Sequence, residues 1–211
     1  MRLHFGVSRV EEKPGTAQGL LGRNDRAALF LDRDGVINRE KGIFCHIESV
    51  EFMPGIFEFV REANRLNLPV VIVTNQSGIG RGLFTEAQFG QLMRWMCERF
   101  VENRARIDAV YFSPFHPTAG LGRYRRDSDC RKPKPGMFFA AFADLNIDPR
   151  SSIMLGDNDT DMRAAATAGI AHRWLVQSEK VARADAATLT NISLDEACAQ
   201  LSSIYPSSEE I

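Results

Sequence analysis

Hydrophobic runs alternate with amphipathic segments along most of the chain. Four runs are mostly apolar, at residues 27–31, 69–73, 107–113 and 151–155. Runs of this kind are typical of strands covered on both faces. A fifth apolar segment, "HRWLV" at 172–176, predicts a last short strand.

Helical spacing fills the intervals between these runs. A helix is predicted from Pro54, and a long one after Thr85 as N-cap. Three more follow: one from Pro135, one from about Asp159 that Gly169 stops, and one capped by Ser193. Repeated β-α units with apolar strands predict an α/β fold, a doubly wound parallel sheet with helices on both faces. Residues 1–26 are irregular and are interpreted as an N-terminal arm, which leaves 27–211 as the folded domain.

Composition narrows the class of protein. The 211 residues are 44% hydrophobic and 25% charged, with a formal net charge of −1. This balance argues against nucleic-acid or membrane-surface binding driven by bulk charge. No apolar run approaches the roughly 20 residues that span a bilayer, and the N-terminus has no apolar signal core. Four widely spaced cysteines predict reduced thiols in a cytoplasmic protein.

Polar side chains collect where the predicted strands end. Asp32 and Asp34 follow the first run, Thr74 and Asn75 the second, and Asp157 a later one. The carboxyl ends of parallel strands form one edge, where ligands bind in open sheets. Each residue alone could be a turn former or helix cap. Together they predict a functional site.

The chemistry of such a site follows from its oxygen atoms. Three converging carboxylates would repel one another unless a cation neutralised them, and oxygen ligands in small number suit Mg²⁺. A carboxylate can also act as a nucleophile and form an aspartyl phosphate. Asp32 and Asp34 are two apart and can flank one phosphorus, while Thr74 and a lysine bind the phosphoryl oxygens.

Four motifs carry a resemblance to a known family. "DRDG", "TNQSG", "RKPKPG" and "GDNDTD" occur in the order and strand context of the haloacid dehalogenase (HAD) superfamily of phosphatases. Over residues 27–180 the chain resembles the heptose 1,7-bisphosphate 7-phosphatases of that superfamily, with histidinol-phosphate phosphatases as near relatives. The resemblance implies a Rossmannoid domain with a minimal cap.

The resemblance also implies a role for each motif position. Asp32 would be the nucleophile and a Mg²⁺ ligand, and Asp34 the general acid and base, with its backbone carbonyl on the metal. Asp157 would be a further metal ligand. Asp161 would support the metal ligands without binding the metal itself. The phosphate binders would be Thr74, Asn75, Arg131 and Lys132, with Lys134 as the competitor for the role of Lys132.

The segment "GIGRGLFTE" lacks the spacing of a nucleotide-binding loop. It is interpreted as a flexible loop over the site. Arg81 would then be available to a substrate phosphate, or would simply be a solvated arginine.

The chain departs from the family pattern at two places. Many heptose phosphatases carry a structural zinc on CxH and CxC motifs, but the matching positions here are Ser113, Phe115, Ser128 and Cys130. His116 is one place out of register. Zinc needs four nitrogen or sulfur ligands, so we predict that zinc is absent and that packing and prolines hold the loop. Asn158 stands where these enzymes tend to have lysine, which removes a positive charge beside the metal site.

The sequence therefore predicts a Mg²⁺-dependent phosphatase acting on a small phosphorylated sugar through an aspartyl phosphate. The favoured substrate is the 7-phosphate of D-glycero-D-manno-heptose 1,7-bisphosphate. A histidinol-phosphate or other small-molecule phosphomonoesterase is the nearest alternative. A polynucleotide 3'-phosphatase would need a basic groove, and a non-catalytic scaffold would have no use for the motifs. The protein is predicted to be a monomer without nucleic-acid or membrane partners.

Overall fold

The computed structural model describes residues 26–43, 45–177 and 184–206. Six strands form one parallel sheet in the order β3-β2-β1-β4-β5-β6. They are β1 (Leu29–Leu31), β2 (Val70–Asn75), β3 (Ala109–Ser113), β4 (Ile153–Gly156), β5 (His172–Val176) and β6 (Leu189–Ile192). The order runs outward from β1 in both directions, which is the doubly wound arrangement that was predicted.

Helices cover both faces of this sheet. They are α1 (Ile56–Arg65), α2 (Ser77–Gly80), α3 (Glu86–Glu102), α4 (Gly136–Leu145), α5 (Asp159–Thr167) and α6 (Leu194–Ile204). Alternate side chains of each strand point to opposite faces. Leu29 and Leu31 of β1 accordingly join the core under α1, α3 and α6, whereas Phe30 joins the core under α4 and α5. The continuous apolar runs are therefore buried on both sides.

Helix caps lie where the sequence predicted them. Thr85 caps α3 and Ser193 caps α6, each in a capping box with the residue three positions on. Both side chains satisfy backbone N–H groups that the first helical turn leaves without partners.

Two elements differ from the prediction. β5 is not the last strand, because β6 pairs with it at the sheet edge. Three of the four β6 residues are exposed, and Asn191 has a φ of 58°, so no apolar run marks this strand. The predicted loop at 78–86 begins instead as the short helix α2, in which Gly78, Ile79 and Gly80 are buried.

The remaining segments bear on domain organisation. Between β1 and α1 the described residues form only a 3₁₀ turn at Ile47–Ser49 and isolated bridges, in agreement with a minimal cap. The predicted arm lies outside the described residues except for Arg26, so the domain boundary stays a prediction. No helix among the described residues is long and apolar enough to cross a membrane.

Candidate active site

A cleft of about 390 Å³ opens at the carboxyl ends of the central strands. Because β2, β1 and β4 are neighbours in the sheet, Thr74, Asp32 and Asp157 meet there although they are far apart in sequence. Every predicted site residue except Arg81 lines this cleft: Asp32, Asp34, Thr74, Asn75, Arg131, Lys132, Asp157, Asn158 and Asp161.

Three buried carboxylates and one buried lysine form the centre of the cleft. Ligand oxygens of Asp32, Asp157 and Asp161 lie within 4.8 Å of one another. Lys132 Nζ is 2.9 Å from Asp32 Oδ1 and 2.6 Å from Asp161 Oδ1. It also donates to the carbonyl of Val73 at 2.9 Å. The lysine therefore bridges two of the three carboxylates.

The electrostatics of this group favour a further cation. Burial raises the pKa of Asp32 to about 6, although the Lys132 charge partly opposes the rise. Burial also raises the pKa of Asp157 to about 8, and the charge of Asp32 adds to the effect. For Lys132, burial lowers the pKa, but Asp161 and Asp32 outweigh burial and the net shift is upward. One ammonium does not balance three carboxylates, and an all-oxygen donor set of this kind fits a hard divalent cation.

Asp34 has its own set of hydrogen-bond donors. Arg33, 1% exposed, donates from Nε to Asp34 Oδ1 at 3.0 Å and from Nη2 to Oδ2 at 2.7 Å. Asn38 Nδ2 donates to Oδ1 at 3.1 Å, and Gln76 Nε2 donates to Oδ2 at 3.0 Å. The carboxylate is thus oriented from two sides by buried donors.

Two glycines allow the carboxylates to approach the backbone. Gly35 has a φ of +86°, and a Cβ there would lie 2.1 Å from Asp157 Oδ2. A Cβ on Gly156 would lie 2.6 Å from Asp161 Cβ. Such distances cannot be accommodated without moving the carboxylates, so the glycines of "DRDG" and "LGD" are required for the geometry of the site.

Asn75, at the end of β2, forms two hydrogen bonds with the backbone of Lys132. Asn75 Nδ2 donates to the Lys132 carbonyl at 3.0 Å, and Lys132 N donates to Asn75 Oδ1 at 3.1 Å. Lys134 is partly exposed and pairs with Asp127 at 2.7 Å. Of the two lysines it is therefore Lys132 that enters the carboxylate cluster.

The arginines predicted to bind phosphate take different places. Arg131 lines the cleft and donates from Nη1 to the Phe115 carbonyl at 3.0 Å. Burial, followed by the nearby charge of Arg81, lowers the pKa of Arg131. Arg81 itself is exposed and does not line the cleft. Asn158 lines it, but its Oδ1 accepts from Thr160 N as the cap of α5.

Three of the four residues at the positions of the family's zinc ligands lie close together. Cys130 Sγ is 3.0 Å from Ser128 Oγ and 3.7 Å from Ser113 Oγ. Phe115 is buried, packs against Tyr124 and lies under the Arg126 guanidinium, which is 4.1 Å from the ring centroid. These contacts match the predicted packing, while the predicted absence of zinc stays a prediction.

Three residues that contact Asp34 were absent from the predicted site: Arg33, Asn38 and Gln76. All three lie within residues 27–180, which carry the resemblance. Arg33 separates the two aspartates, Asn38 lies three residues after "DRDG", and Gln76 follows Asn75. Their side-chain directions, which bring them onto Asp34, were not encoded in any spacing rule.

Comparison with known proteins agrees with this geometry. The family model for HAD-hydrolase-like proteins matches residues 129–203. A D-glycero-beta-D-manno-heptose-1,7-bisphosphate 7-phosphatase of Vibrio cholerae is 42% identical over 81% of this chain and 91% of its own. A D-glycero-alpha-D-manno-heptose-1,7-bisphosphate 7-phosphatase of Burkholderia mallei is 45% identical over 78% of this chain and 88% of its own.

Solved structures give the same relationship. A HAD-like protein of Mesorhizobium loti superposes with a TM-score of 0.78 at 33% identity, covering 89% of this chain and 92% of that one. The D,D-heptose 1,7-bisphosphate phosphatase of B. bronchiseptica, complexed with magnesium and phosphate, superposes with a TM-score of 0.71 at 28% identity. That match covers 83% of this chain and 97% of the other.

The parallel sheet with its carboxylate and lysine cleft is that of a HAD-type phosphatase, a phosphoric monoester hydrolase. Within that class, the chain belongs to the family of the D-glycero-D-manno-heptose-1,7-bisphosphate 7-phosphatases.

Proposed function

We propose that this protein removes the 7-phosphate of D-glycero-D-manno-heptose 1,7-bisphosphate through an aspartyl phosphate on Asp32. The observation that carries the proposal is the position of Asp32, buried in the cleft beside Lys132 and within reach of Asp157 and Thr74. The heptose substrate is supported by relatives that match almost their full length.

Five cleft residues act on the substrate in the proposed reaction. In the first step an Asp32 oxygen bonds to phosphorus, the bond from phosphorus to the sugar oxygen breaks, and that oxygen takes a proton from Asp34. In the second step a water gives a proton to Asp34 and attacks phosphorus, which releases phosphate and restores the Asp32 carboxylate. Thr74, Lys132 and Arg131 bind the phosphoryl oxygens, where charge is spread in the transition state.

Mg²⁺ is the cation that we propose for the carboxylate group. Asp32 and Asp157, with the backbone carbonyl of Asp34, would hold it, and it would supply positive charge beside the phosphoryl oxygens. Asp161 has its oxygens committed to Lys132 Nζ and to the backbone N–H of Asn158, at 2.6 and 3.1 Å. This arrangement supports a role for Asp161 in orienting the lysine.

We propose that the two arginines at and near the cleft serve the rest of the substrate. Arg131, which lines the cleft, would bind a second phosphate of the substrate, and Arg81, which lies outside the cleft lining, would assist it. We also propose a cytoplasmic monomer without nucleic-acid or membrane partners, and the four free cysteines support the cytoplasmic part of this proposal.

A substrate panel tests the proposal. Mg²⁺-dependent phosphate release is measured with both heptose bisphosphate anomers, histidinol phosphate and a 3'-phosphorylated oligonucleotide. We expect a heptose bisphosphate to be the best substrate, and preference for any other member of the panel would replace the substrate assignment.

Substitution of the nucleophile tests the mechanism. Asp32→Asn should lower kcat about 10⁴-fold or more while the protein stays folded. Asp195→Asn, which changes an exposed aspartate on α6, serves as the matched control. An Asp32→Asn variant with most of its activity would rule out the aspartyl phosphate.

A further inference from the structure

Gln76 contacts two functional side chains of the cleft with one atom. Its Nε2 donates to Asp34 Oδ2 at 3.0 Å and to Thr74 Oγ1 at 2.9 Å. The side chain is 4% exposed, and its backbone N–H donates to the Ser113 carbonyl at 2.7 Å. A primary amide nitrogen has two hydrogens, so both bonds can exist at once.

The hydrogen bond to Thr74 determines which way the threonine hydroxyl points. A hydroxyl has one hydrogen and can accept with its lone pairs. Because Thr74 Oγ1 accepts from Gln76, its own hydrogen remains available for an acceptor in the cleft, which Thr74 lines. A phosphoryl oxygen is such an acceptor.

The hydrogen bond to Asp34 identifies the orientation of the amide. Arg33 and Asn38 donate to the Asp34 carboxyl group, and the amide nitrogen of Gln76 faces its Oδ2 in the same way. Since one nitrogen holds both atoms, Asp34 Oδ2 and Thr74 Oγ1 lie within about 6 Å of each other. Arg33 and Asn38 also donate to Asp34, whereas the two hydrogen bonds of Gln76 join Asp34 to Thr74.

We propose that Gln76 is a positioning residue that sets the acid–base carboxylate of Asp34 in register with the phosphoryl-binding hydroxyl of Thr74. This inference rests on the proposed function. In that reaction Thr74 would contact a nonbridging phosphoryl oxygen while Asp34 serves the ester oxygen on the same phosphorus. Gln76 fixes the separation between the two contacts before the substrate arrives, and reactions of this kind are sensitive to such placement.

The test compares two phosphate esters that differ in their need for a proton. A sugar oxygen requires protonation as it leaves, whereas 4-nitrophenolate leaves readily without a proton. The value of kcat/KM reports on the steps through formation of the phosphoenzyme. It is measured for the best sugar phosphate of the panel and for 4-nitrophenyl phosphate.

For Gln76→Met we expect kcat/KM with the sugar phosphate to fall about 100-fold. With 4-nitrophenyl phosphate we expect a fall of about tenfold or less, since Thr74 is disturbed but no acid is needed. Gln91→Met makes the same change at an exposed site of α3 and should leave both values unchanged. If Gln76→Met does not fold, Gln76→Glu keeps the shape, replaces the donor with an acceptor, and should give the same pattern.

Equal losses on the two esters, or no loss, would overturn the proposal, because a general structural defect does not distinguish leaving groups. A wild-type protein that hydrolyses neither ester would instead contradict the proposed function.

Discussion

At the scale of single residues, the Lys132 ammonium lies beside a group that the proposed reaction would change. Its Nζ is 2.9 Å from Asp32 Oδ1 and 2.6 Å from Asp161 Oδ1, and it donates a hydrogen bond to the Val73 carbonyl at 2.9 Å. When Asp32 becomes an acyl phosphate, its oxygens lose most of their negative charge. We therefore expect the Lys132 charge to act more on the phosphoryl oxygens as the new bond forms, which stabilises the transition state more than the ground state.

Removal of this lysine should also destabilise the fold. Lys132→Met leaves the buried carboxylates without their partner, which we expect to cost about 3 kcal/mol, the lower end for a broken buried pair because the aspartates can take up protons. Urea unfolding in the presence of EDTA measures this cost. Lys134→Met, a change at the partly exposed lysine two positions on, is the control and should shift the midpoint little. An equal shift for both variants would contradict the prediction.

At the scale of elements, the loop between β3 and α4 is stabilised by side-chain packing. The Phe115 ring lies between the core and the Arg126 guanidinium, and its centroid is 6.0 Å from that of Tyr124. Ser113, Ser128 and Cys130 form a small polar cluster nearby. The residues that make these contacts include the four that stand where the family pattern would place zinc ligands.

The predicted absence of zinc can be tested in two ways, by metal analysis of the wild-type protein and by restoring the missing ligands. Elemental analysis of the wild-type protein should find no stoichiometric zinc, and Cys130→Ser should not change the metal content. The triple variant Ser113→Cys, Phe115→His, Ser128→Cys restores both ligand motifs and should bind about one zinc per chain, since the site takes four ligands. Stoichiometric zinc in the wild type would show that the prediction is wrong.

Some strands and site contacts could be predicted from the sequence and others could not. The five apolar strands were predictable because burial on both faces demands continuous hydrophobic residues. β6 was not, since an exposed edge strand needs no such run. Asp32, Thr74 and Asp157 could be grouped because parallel strands end at one edge. The contacts of Gln76 and Arg33 with Asp34 could not, because side-chain direction after a strand depends on the packing of α2 and of the turn at Gly35.

At the scale of the whole molecule, the carboxylate cluster links stability to pH. The pKa values of Asp32 and Asp157, about 6 and about 8, lie above the ordinary value for aspartate. The folded state therefore binds more protons than the unfolded state between about pH 4 and pH 8. These groups contribute their full stability below about pH 4, and it is lost as the pH rises through 6 and 8.

Thermal unfolding in EDTA, from about pH 5 to pH 9, measures this dependence. We expect the midpoint to fall with pH in that window, and Mg²⁺ to raise it more at high pH because the ion competes with protons for the same oxygens. Asp157→Asn should flatten the curve. A wild-type midpoint that rises through the window in EDTA, with the same slope in Asp157→Asn, would contradict the assignment.

The excess of carboxylates over the single lysine in the cleft also has a kinetic consequence. Above about pH 8, where Asp157 is ionised as well, and without a divalent ion, an approaching phosphate dianion meets the carboxylates of Asp32, Asp157 and Asp161, and Lys132 is already paired with two of them. Like charges at these distances repel strongly in a buried site. Substrate binding should therefore be ordered, with metal first and ester second. Calorimetric titration with inorganic phosphate should show binding in Mg²⁺ and none in EDTA, and equal affinity in the two buffers would mean that the order is random.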